Sequence, residues 1–479
     1  MTTDPAGNPP RYDAVVIGSG PNGLVAAIEI ARAGRSVLVV EGADQHGGGT
    51  RTAELTQPGF HHDVCSSIHP LGVASPAFRE LPLHDHGVRW IHPDAPLAHP
   101  LPSRAAILER SLDATAARLG DDGHRWRRLM GLVTTPGAEL VDQLLDPFSP
   151  PRHPIALARY GLTGIRGADA VGRRFEHDDA AALLAGLSAH SMLPLDAPIT
   201  AGFGLLLGGL AHMVGWPFAE GGSQSIADAL VAILESHGGT VERGRWITDA
   251  EELPSARVVI ADTAPRAVVR LLGDRLPARW RRQVARFHHG PGVFKVDWAL
   301  DGPVPWADPE VARAATVHVG GTATELIEAE SDVTAGRHPD RPFVLVAQTS
   351  LFDATRAPEG KHTLWGYCHV PSGSTVDMTD RIERQIDRFA PGFRDLIAAR
   401  HTMNTGAVER YNPNYVGGDI NGGRADLRQF AFRPVVSPRP WIVPAPGWYL
   451  CSASIPPGGG VHGMGGRRAA RSALARELR

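Results

Sequence analysis

The sequence predicts an α/β fold shared between two domains, and three observations predict it. A strand, a glycine turn, a helix and a second strand follow one another at the start of the chain, a second glycine cluster comes directly after them, and a third lies near the far end between an apolar strand and a helix. At 479 residues the chain also exceeds what one hydrophobic core ordinarily serves.

The opening elements are a strand over Tyr12–Ile17, the turn Gly18-Ser19-Gly20-Pro21-Asn22-Gly23, a helix over residues 24–33 and a strand over residues 36–40 that ends in Glu41. This is a dinucleotide fingerprint in its expected context. Gly18, Gly20 and Gly23 allow a tight turn and close backbone approach, and the helix start presents free N–H groups to a pyrophosphate. Glu41 stands 18 residues beyond Gly23, where an acid is expected to meet the ribose hydroxyls. A second cluster follows at once, with Gly47, Gly48 and Gly49 leading to Arg51. A plain nicotinamide dehydrogenase would run on into another helix and strand. Flexible backbone with a guanidinium at its end suits a longer dinucleotide whose pyrophosphate and ring both need contacts, so the residues point to FAD.

Composition narrows the function classes. The net charge of −3 gives no reason to expect a nucleic-acid partner. Cys65, Cys368 and Cys451 form no C-x-x-C pair, which disfavours a dithiol relay. No G-x-S-x-G elbow, H-E-x-x-H or paired C-x-x-C is present, so hydrolase and metal chemistry are not expected. Residues 1–11 are polar and proline-rich, which reads as a cytoplasmic protein without a signal peptide. The most apolar stretch, residues 201–218, is broken by Gly202, Gly204, Gly208, Gly209 and Gly215. It is expected to be a buried helix lining a substrate cavity, with a peripheral membrane contact as the alternative.

Two segments carry a family resemblance. Gly47 through Arg51 to Pro58-Gly59-Phe60-His61-His62-Asp63 resembles the glycine motif of the phytoene desaturase-like flavoproteins, relatives of the amine oxidases. Near the other end, the apolar stretch 448–454 followed by Pro456-Pro457-Gly458-Gly459-Gly460-Val461-His462-Gly463 resembles that family's C-terminal flavin-binding motif. The resemblance covers nearly the whole chain, is loosest in the middle, and is close to the pyridine nucleotide-disulfide oxidoreductase domain-containing group. It implies a Rossmann-type FAD-binding domain in three pieces, residues 1–74, 218–291 and 423–479. A discontinuous α+β substrate domain, residues 75–217 and 292–422, would lie between them as helices over a mixed sheet. The implied FAD-binding residues are Gly18, Gly20, Gly23, Glu41, Gly48, Gly49, Arg51, Gly458, Gly459, Gly460 and Val461.

Candidate catalytic residues rest on thinner signals. The stretch 411–423 is dense in Gly and Asx and is either a long turn or, by the resemblance, the loop that re-enters beside the flavin. In the second case Asp419 and Arg428 would be the polar groups near the ring or the substrate mouth. His61, His62 and Asp63 follow the Arg51 motif and either reach the same cavity or form a strand turn with solvated histidines. Lys295 shares one strand face with Val293 and Asp297. It is either an exposed strand residue or, as in amine-oxidase relatives, a lysine holding a water near the flavin N5. Cys451 sits in an apolar strand and reads as a packed thiol, not a flavin attachment site.

The expected function is hydride removal from a C–C or C–heteroatom single bond of a small, largely apolar molecule, with FAD as cofactor. A single dinucleotide fingerprint favours reoxidation by oxygen or a quinone over a tightly bound nicotinamide. Two rivals remain: a reduced-flavin isomerase without net redox change, and a binding protein resembling the Rab GDP-dissociation inhibitors. Intact Gly18, Gly20, Gly23, Glu41 and Arg51 argue against the second.

Overall fold

The computed structural model describes residues 11–479, so the polar, proline-rich start over residues 1–10 lies outside the described residues. Two sheets organise the chain. The first is parallel and five-stranded, in the order Trp448–Leu450, Ala256–Ala261, Tyr12–Ile17, Val37–Val40, Thr240–Glu242. Its strands read VVI, VLVV and VVIA because helices and loops cover both faces, leaving no solvated side on which polar residues could alternate. Val15 pairs with both Val259 and Leu38, and Ile260 pairs with Tyr449, so three distant stretches of chain meet in one sheet.

The helix Pro21–Arg32 leaves the first strand through the glycine turn, with Gly20 as N-cap and Pro21 at its first position. Helix Met464–Leu474 crosses it at backbone contact: a Cβ on Gly466 would fall 1.8 Å from the Asn22 carbonyl oxygen. That crossing sets the C-terminal segment beside the opening turn.

The second sheet is mixed and seven-stranded, in the order Ile397–Met403, Gly292–Leu300, His362–Val370, Val344–Ala347, Ala314–Val319, Ala95–Pro100, Ala105–Leu108. Its pairs are antiparallel except for Ala314–Val319 with Ala95–Pro100. Strand Gly292–Leu300 is buried along its whole length. Val296 and Trp298 pack with Phe393 and Ile382 on one face, and Val293 packs with Trp365, Tyr367 and Met403 on the other. Lys295 is therefore 3% exposed. The expectation of an exposed strand lysine fails because this is an inner strand covered on both faces.

The apolar stretch 201–218 forms the buried helix Thr200–Met213. Its glycines serve helix packing: added Cβ atoms would fall 2.3 Å from Ser188 Oγ at Gly204, 2.8 Å from Met130 Sδ at Gly208 and 2.5 Å from Val133 Cγ1 at Gly209. The helix lies among its neighbours and contributes no residue to the wall of the cavity described below, contrary to the expectation that it would line one. Among the described residues, no helix is long and apolar enough to cross a membrane.

Candidate active site

The opening turn is held by its own acid. Glu41 Oε2 accepts the Ser19 N–H at 2.9 Å and the Ser19 hydroxyl at 2.6 Å, while Oε1 accepts the Ala43 N–H at 2.9 Å. The carboxylate thus braces the glycine turn and still has free lone pairs for a ribose. Gly48 backs onto Gly20, where its Cβ would lie 3.0 Å from the Gly20 Cα, so the two glycine clusters form one wall of bare backbone. At Gly49 a Cβ would come 2.2 Å from the Tyr415 hydroxyl.

A cavity of about 560 Å³ runs along this wall and reaches across to the second sheet. At its first end it is lined by Gly18, Gly20, Asn22, Glu41, Arg51 and Thr263, and at the other by Cys65, His190, Leu345, Trp365, Tyr367 and Tyr415. The fit to FAD rests on three buried polar atoms without partners in its lining: Arg51 Nε, Asn22 Oδ1 and Thr263 Oγ1. Buried polar atoms ordinarily find partners, so these mark where a polar ligand belongs. Arg51 is 8% exposed, lies 3.6 Å from Glu41 and stacks over the Tyr411 ring at 5.2 Å. Its guanidinium is held in place with donor capacity to spare for a phosphate oxygen. One polar end and one aromatic end match a dinucleotide with a flavin ring, and the chain's residues fit the group.

The sequence-expected residues divide. Gly18, Gly20, Glu41, Gly48, Gly49, Arg51, Gly460 and Val461 all line the cavity. Gly23 lies just behind it, its N–H donating to Asp262 Oδ2 at 2.9 Å. Gly458 and Gly459 are not among the lining residues, and a Cβ on them would meet Arg433 and the Asn421 backbone respectively. The stretch 411–423 does re-enter here, contributing Tyr411, Asn412, Asn414, Tyr415, Ile420 and Asn421 to the wall.

Asp419 faces away from the cavity, accepting the Gly290 N–H and the Asn421 N–H, both at 2.8 Å. It is 1% exposed and fixes the loop on which Asn421 rides. Arg428 sits exposed on the short helix Leu427–Phe432 and lines no part of the cavity, so the geometry does not place it beside the ring. The buried arginine of this region is Arg433, which donates to the carbonyls of Asn421, Gly422, Ala453 and Ser454. Burial pulls its pKa down to about 10, against the opposing charges of Asp419 and Asp426.

Lys295 and His62 converge on Asp297 and are not among the cavity-lining residues. Lys295 Nζ hydrogen-bonds Asp297 and lies 5.8 Å from the centroid of the Trp365 ring, whose indole lines the cavity. His62, 1% exposed, hydrogen-bonds Thr56 through Nε2 at 2.8 Å and places Nδ1 3.7 Å from Asp297. Burial lowers the His62 pKa to about 4, outweighing the attraction of Asp297, so the ring is neutral at pH 7. The solvated-histidine alternative fails for His62, because the hairpin Thr52–Glu54 with His61–Asp63 packs onto the second sheet.

Cys451 is buried, and its N–H donates to the Ala261 carbonyl at 2.9 Å. All three cysteines are free thiols.

Four lining residues went unnoticed in the sequence. Asp262 ends the strand Ala256–Ala261 and supports the opening turn from below. Its place after a buried strand was a usable signal. Trp246, 56% exposed, covers Gly42 so closely that a Cβ there would fall 2.2 Å from its ring. His190 follows helix Asp178–Ala189, and its Nε2 lies 3.1 Å from His318 Nε2. Burial drives the His190 pKa to about 3, so it is a neutral donor–acceptor at the aromatic end. Tyr367 comes from the second sheet, and no local pattern marks it or His190 as a site residue.

Comparisons agree with this geometry. A family profile described as an NAD(P)-binding Rossmann-like domain matches residues 16–82. The chain is 25% identical to the pyridine nucleotide-disulfide oxidoreductase domain-containing protein 2 of Rattus norvegicus, over 96% of this chain and 93% of that protein. It is 24% identical to a 4,4'-diapolycopen-4-al dehydrogenase of Metabacillus indicus, over 56% of this chain and 55% of that one. A solved wild-type putrescine oxidase bound to putrescine superposes with a TM-score of 0.62 at 17% identity, covering 98% of this chain and 99% of that chain. The matching profile gives the chain an NAD(P)-binding Rossmann-like domain, and the two-sheet fold around the glycine-walled cavity is similar to that of amine-oxidase-type flavoproteins over nearly its whole length.

Proposed function

We propose that this chain is an FAD-dependent dehydrogenase acting on a small, largely apolar molecule. It would take a hydride from a C–C or C–heteroatom single bond, with electrons leaving to oxygen or a quinone. One observation carries the substrate class: the end of the cavity away from the glycine wall is built from Leu345, Trp365, Tyr367 and Tyr415, with neutral His190 among them. Such a wall excludes water and orients an apolar chain or ring, and it offers no charge to an ionic substrate.

Bound FAD supplies the hydride acceptor, and the protein supplies binding, orientation and electrostatics. Arg51, Asn22 and Thr263 would hold the polar part of the cofactor, and Gly460 with Val461 closes the cavity from the C-terminal side. His190 contributes one polar contact to the substrate, and the departing proton passes to water. Lys295, Asp297 and His62 act from behind Trp365 as positioning residues, setting the indole that faces the substrate. Asp419 is a positioning residue for Asn421. Arg428, exposed outside the cavity, has no part in this reading. The names of a diapolycopenal dehydrogenase and a putrescine oxidase among the likenesses support a C–H oxidation and leave the bond type open between carbon and nitrogen.

The test is anaerobic mixing of the yellow holoenzyme with fractionated cell metabolites, following flavin absorbance. Bleaching by an apolar fraction, with recovery on adding oxygen or a quinone, is the expected result. Conversion of a metabolite only after prior flavin reduction, with no bleaching, would replace this reading with an isomerase. A colourless protein that cannot be reloaded with FAD would replace it with a binding protein.

A further inference from the structure

We propose that one face of this protein docks on an anionic lipid surface, through the helix Pro154–Gly164 and the arginine-lined groove beside it. This stands on the surface alone and holds whichever substrate the cavity takes.

The helix is amphipathic the wrong way round for a soluble surface. Ile155 and Leu162, two turns apart, are each 76% exposed, and Ile165 just beyond the helix is 51% exposed. Leu157 and Tyr160 face inward, and the Tyr160 hydroxyl donates to the Gly202 carbonyl at 2.8 Å. Single exposed aliphatics need no explanation, but three in eleven residues on one side of an otherwise seated helix form an unpartnered stripe.

The segment that carries the stripe is basic. From residue 147 to residue 168 the chain has no Asp or Glu, and it carries Arg152, Arg159 and Arg166. Arg152 lines a groove of about 770 Å³ together with Arg439, Arg471, Arg476 and Arg479. The carboxylates in that groove are already engaged: Glu80 by Arg467, Asp142 by Arg79, Asp146 by Arg468 and Glu139 by His153. Among the described residues, the guanidiniums of Arg152, Arg159, Arg166 and Arg439 have no ion-pair partner. Arg152 stands two residues before the helix and lines the groove, so the apolar stripe and the cationic groove join at the start of the helix.

This pairing selects the occupant. A second copy of the chain meeting this face about a two-fold axis would bring arginines against arginines. A lipid surface takes the aliphatic side chains into the acyl boundary and supplies phosphates to the guanidiniums, which reach the headgroups on long flexible stems.

The test uses the full-length holoprotein floated with vesicles of one part phosphatidylglycerol to two parts phosphatidylcholine, and with phosphatidylcholine alone. The protein should float with the anionic vesicles, bind neutral ones far less, and be largely released by raised salt. The double variant Ile155→Asp, Leu162→Asp should lose about tenfold or more of its vesicle binding. Arg152→Glu with Arg159→Glu should lose a similar share on anionic vesicles alone. Both variants should keep their flavin colour and melting temperature, which separates loss of docking from loss of fold. Failure of the parent protein to float, or undiminished flotation of the Ile155→Asp, Leu162→Asp variant, overturns the proposal. So does a parent dimer in gel filtration that this variant converts to a monomer without any vesicle binding, which would assign the face to a second copy.

Discussion

Asp262 ends its strand directly beneath the opening turn, where Oδ2 accepts the Gly23 N–H at 2.9 Å. Burial pushes its pKa up to about 7, the Gly23 hydrogen bond pulls the other way, and the charge of Glu41 adds to the rise. A carboxyl group raised in the folded state stabilises the fold fully below its unfolded value near 3.8, and that contribution is lost as pH climbs toward 7. The whole excursion is worth at most roughly 4 kcal/mol, at about 1.4 kcal/mol per pK unit. Asp262→Asn keeps an acceptor for Gly23 and removes the ionisation. It should melt close to the parent at about pH 5 and above it at about pH 8, and it should retain FAD better at the higher pH. Equal melting differences at both values would show that Asp262 is not the titrating group. At Gly20, a Cβ would fall 2.6 Å from the same Asp262 oxygen, so Gly20→Val should purify without yellow colour. The glycines, Glu41 and Arg51 were legible because a phosphate-binding turn restricts residue type at fixed spacing. Asp262 left only the trace of an acid directly after a buried strand, and His190 left none, because nothing local distinguishes a histidine after a helix until the fold brings it to a cavity.

At the scale of elements, glycine has opposite meanings that the sequence does not separate. Gly466 lies where two helices touch backbone to backbone, and even a methyl would fall 1.8 Å from the Asn22 carbonyl. Gly466→Ala should cost about 1–3 kcal/mol through overpacking. Because Asn22 begins the helix that lines the cavity, flavin content should fall along with melting temperature. Gly161, inside the helix Pro154–Gly164, has nothing within 4 Å of a Cβ. Gly161→Ala should raise stability by roughly 0.5–1 kcal/mol through propensity alone. Calorimetry on both variants checks the pair, and a neutral Gly466→Ala would mean that the two helices slide apart freely. The same ambiguity misled the reading of residues 201–218. Glycines in an apolar run fit a cavity wall as well as a close helix crossing, and only the positions of Ser188, Met130 and Val133 decide for the crossing.

At the scale of the molecule, the first strands of the parallel sheet were legible because Tyr12–Ile17 and Val37–Val40 are short apolar runs on either side of a glycine turn and its helix. In the seven-stranded sheet the strand that carries Lys295 was legible, whereas pairing between residues two hundred apart leaves no local trace. One guanidinium ties these parts together. Arg356, 1% exposed, lies 3.1 Å from Asp63 and 3.0 Å from Asp353, and donates to the Ala219 carbonyl at 3.2 Å. Asp63 in turn accepts from Thr52, Ser67 and the Ser223 N–H, each at 2.8 Å, and Asp353 accepts the Gly221 N–H at 2.8 Å. Burial alone would raise the pKa of both carboxyls; the Arg356 charge and these hydrogen bonds outweigh it and hold both below their ordinary value. Arg356→Met fills the same space and leaves two buried carboxylates without their cation, a loss of about 3–5 kcal/mol near neutral pH. In the parent, depressed carboxyl pKa values give stability that is present above the unfolded value and lost as pH falls through the folded one. In the variant those values rise, so its stability drops as pH climbs instead. The gap between parent and variant should therefore widen from about pH 5 to about pH 8, read by chemical denaturation at each. A gap that stays constant with pH would mean that Arg356 holds the hairpin, the 219–223 turn and the second sheet together by packing, and that its charge contributes nothing to their union.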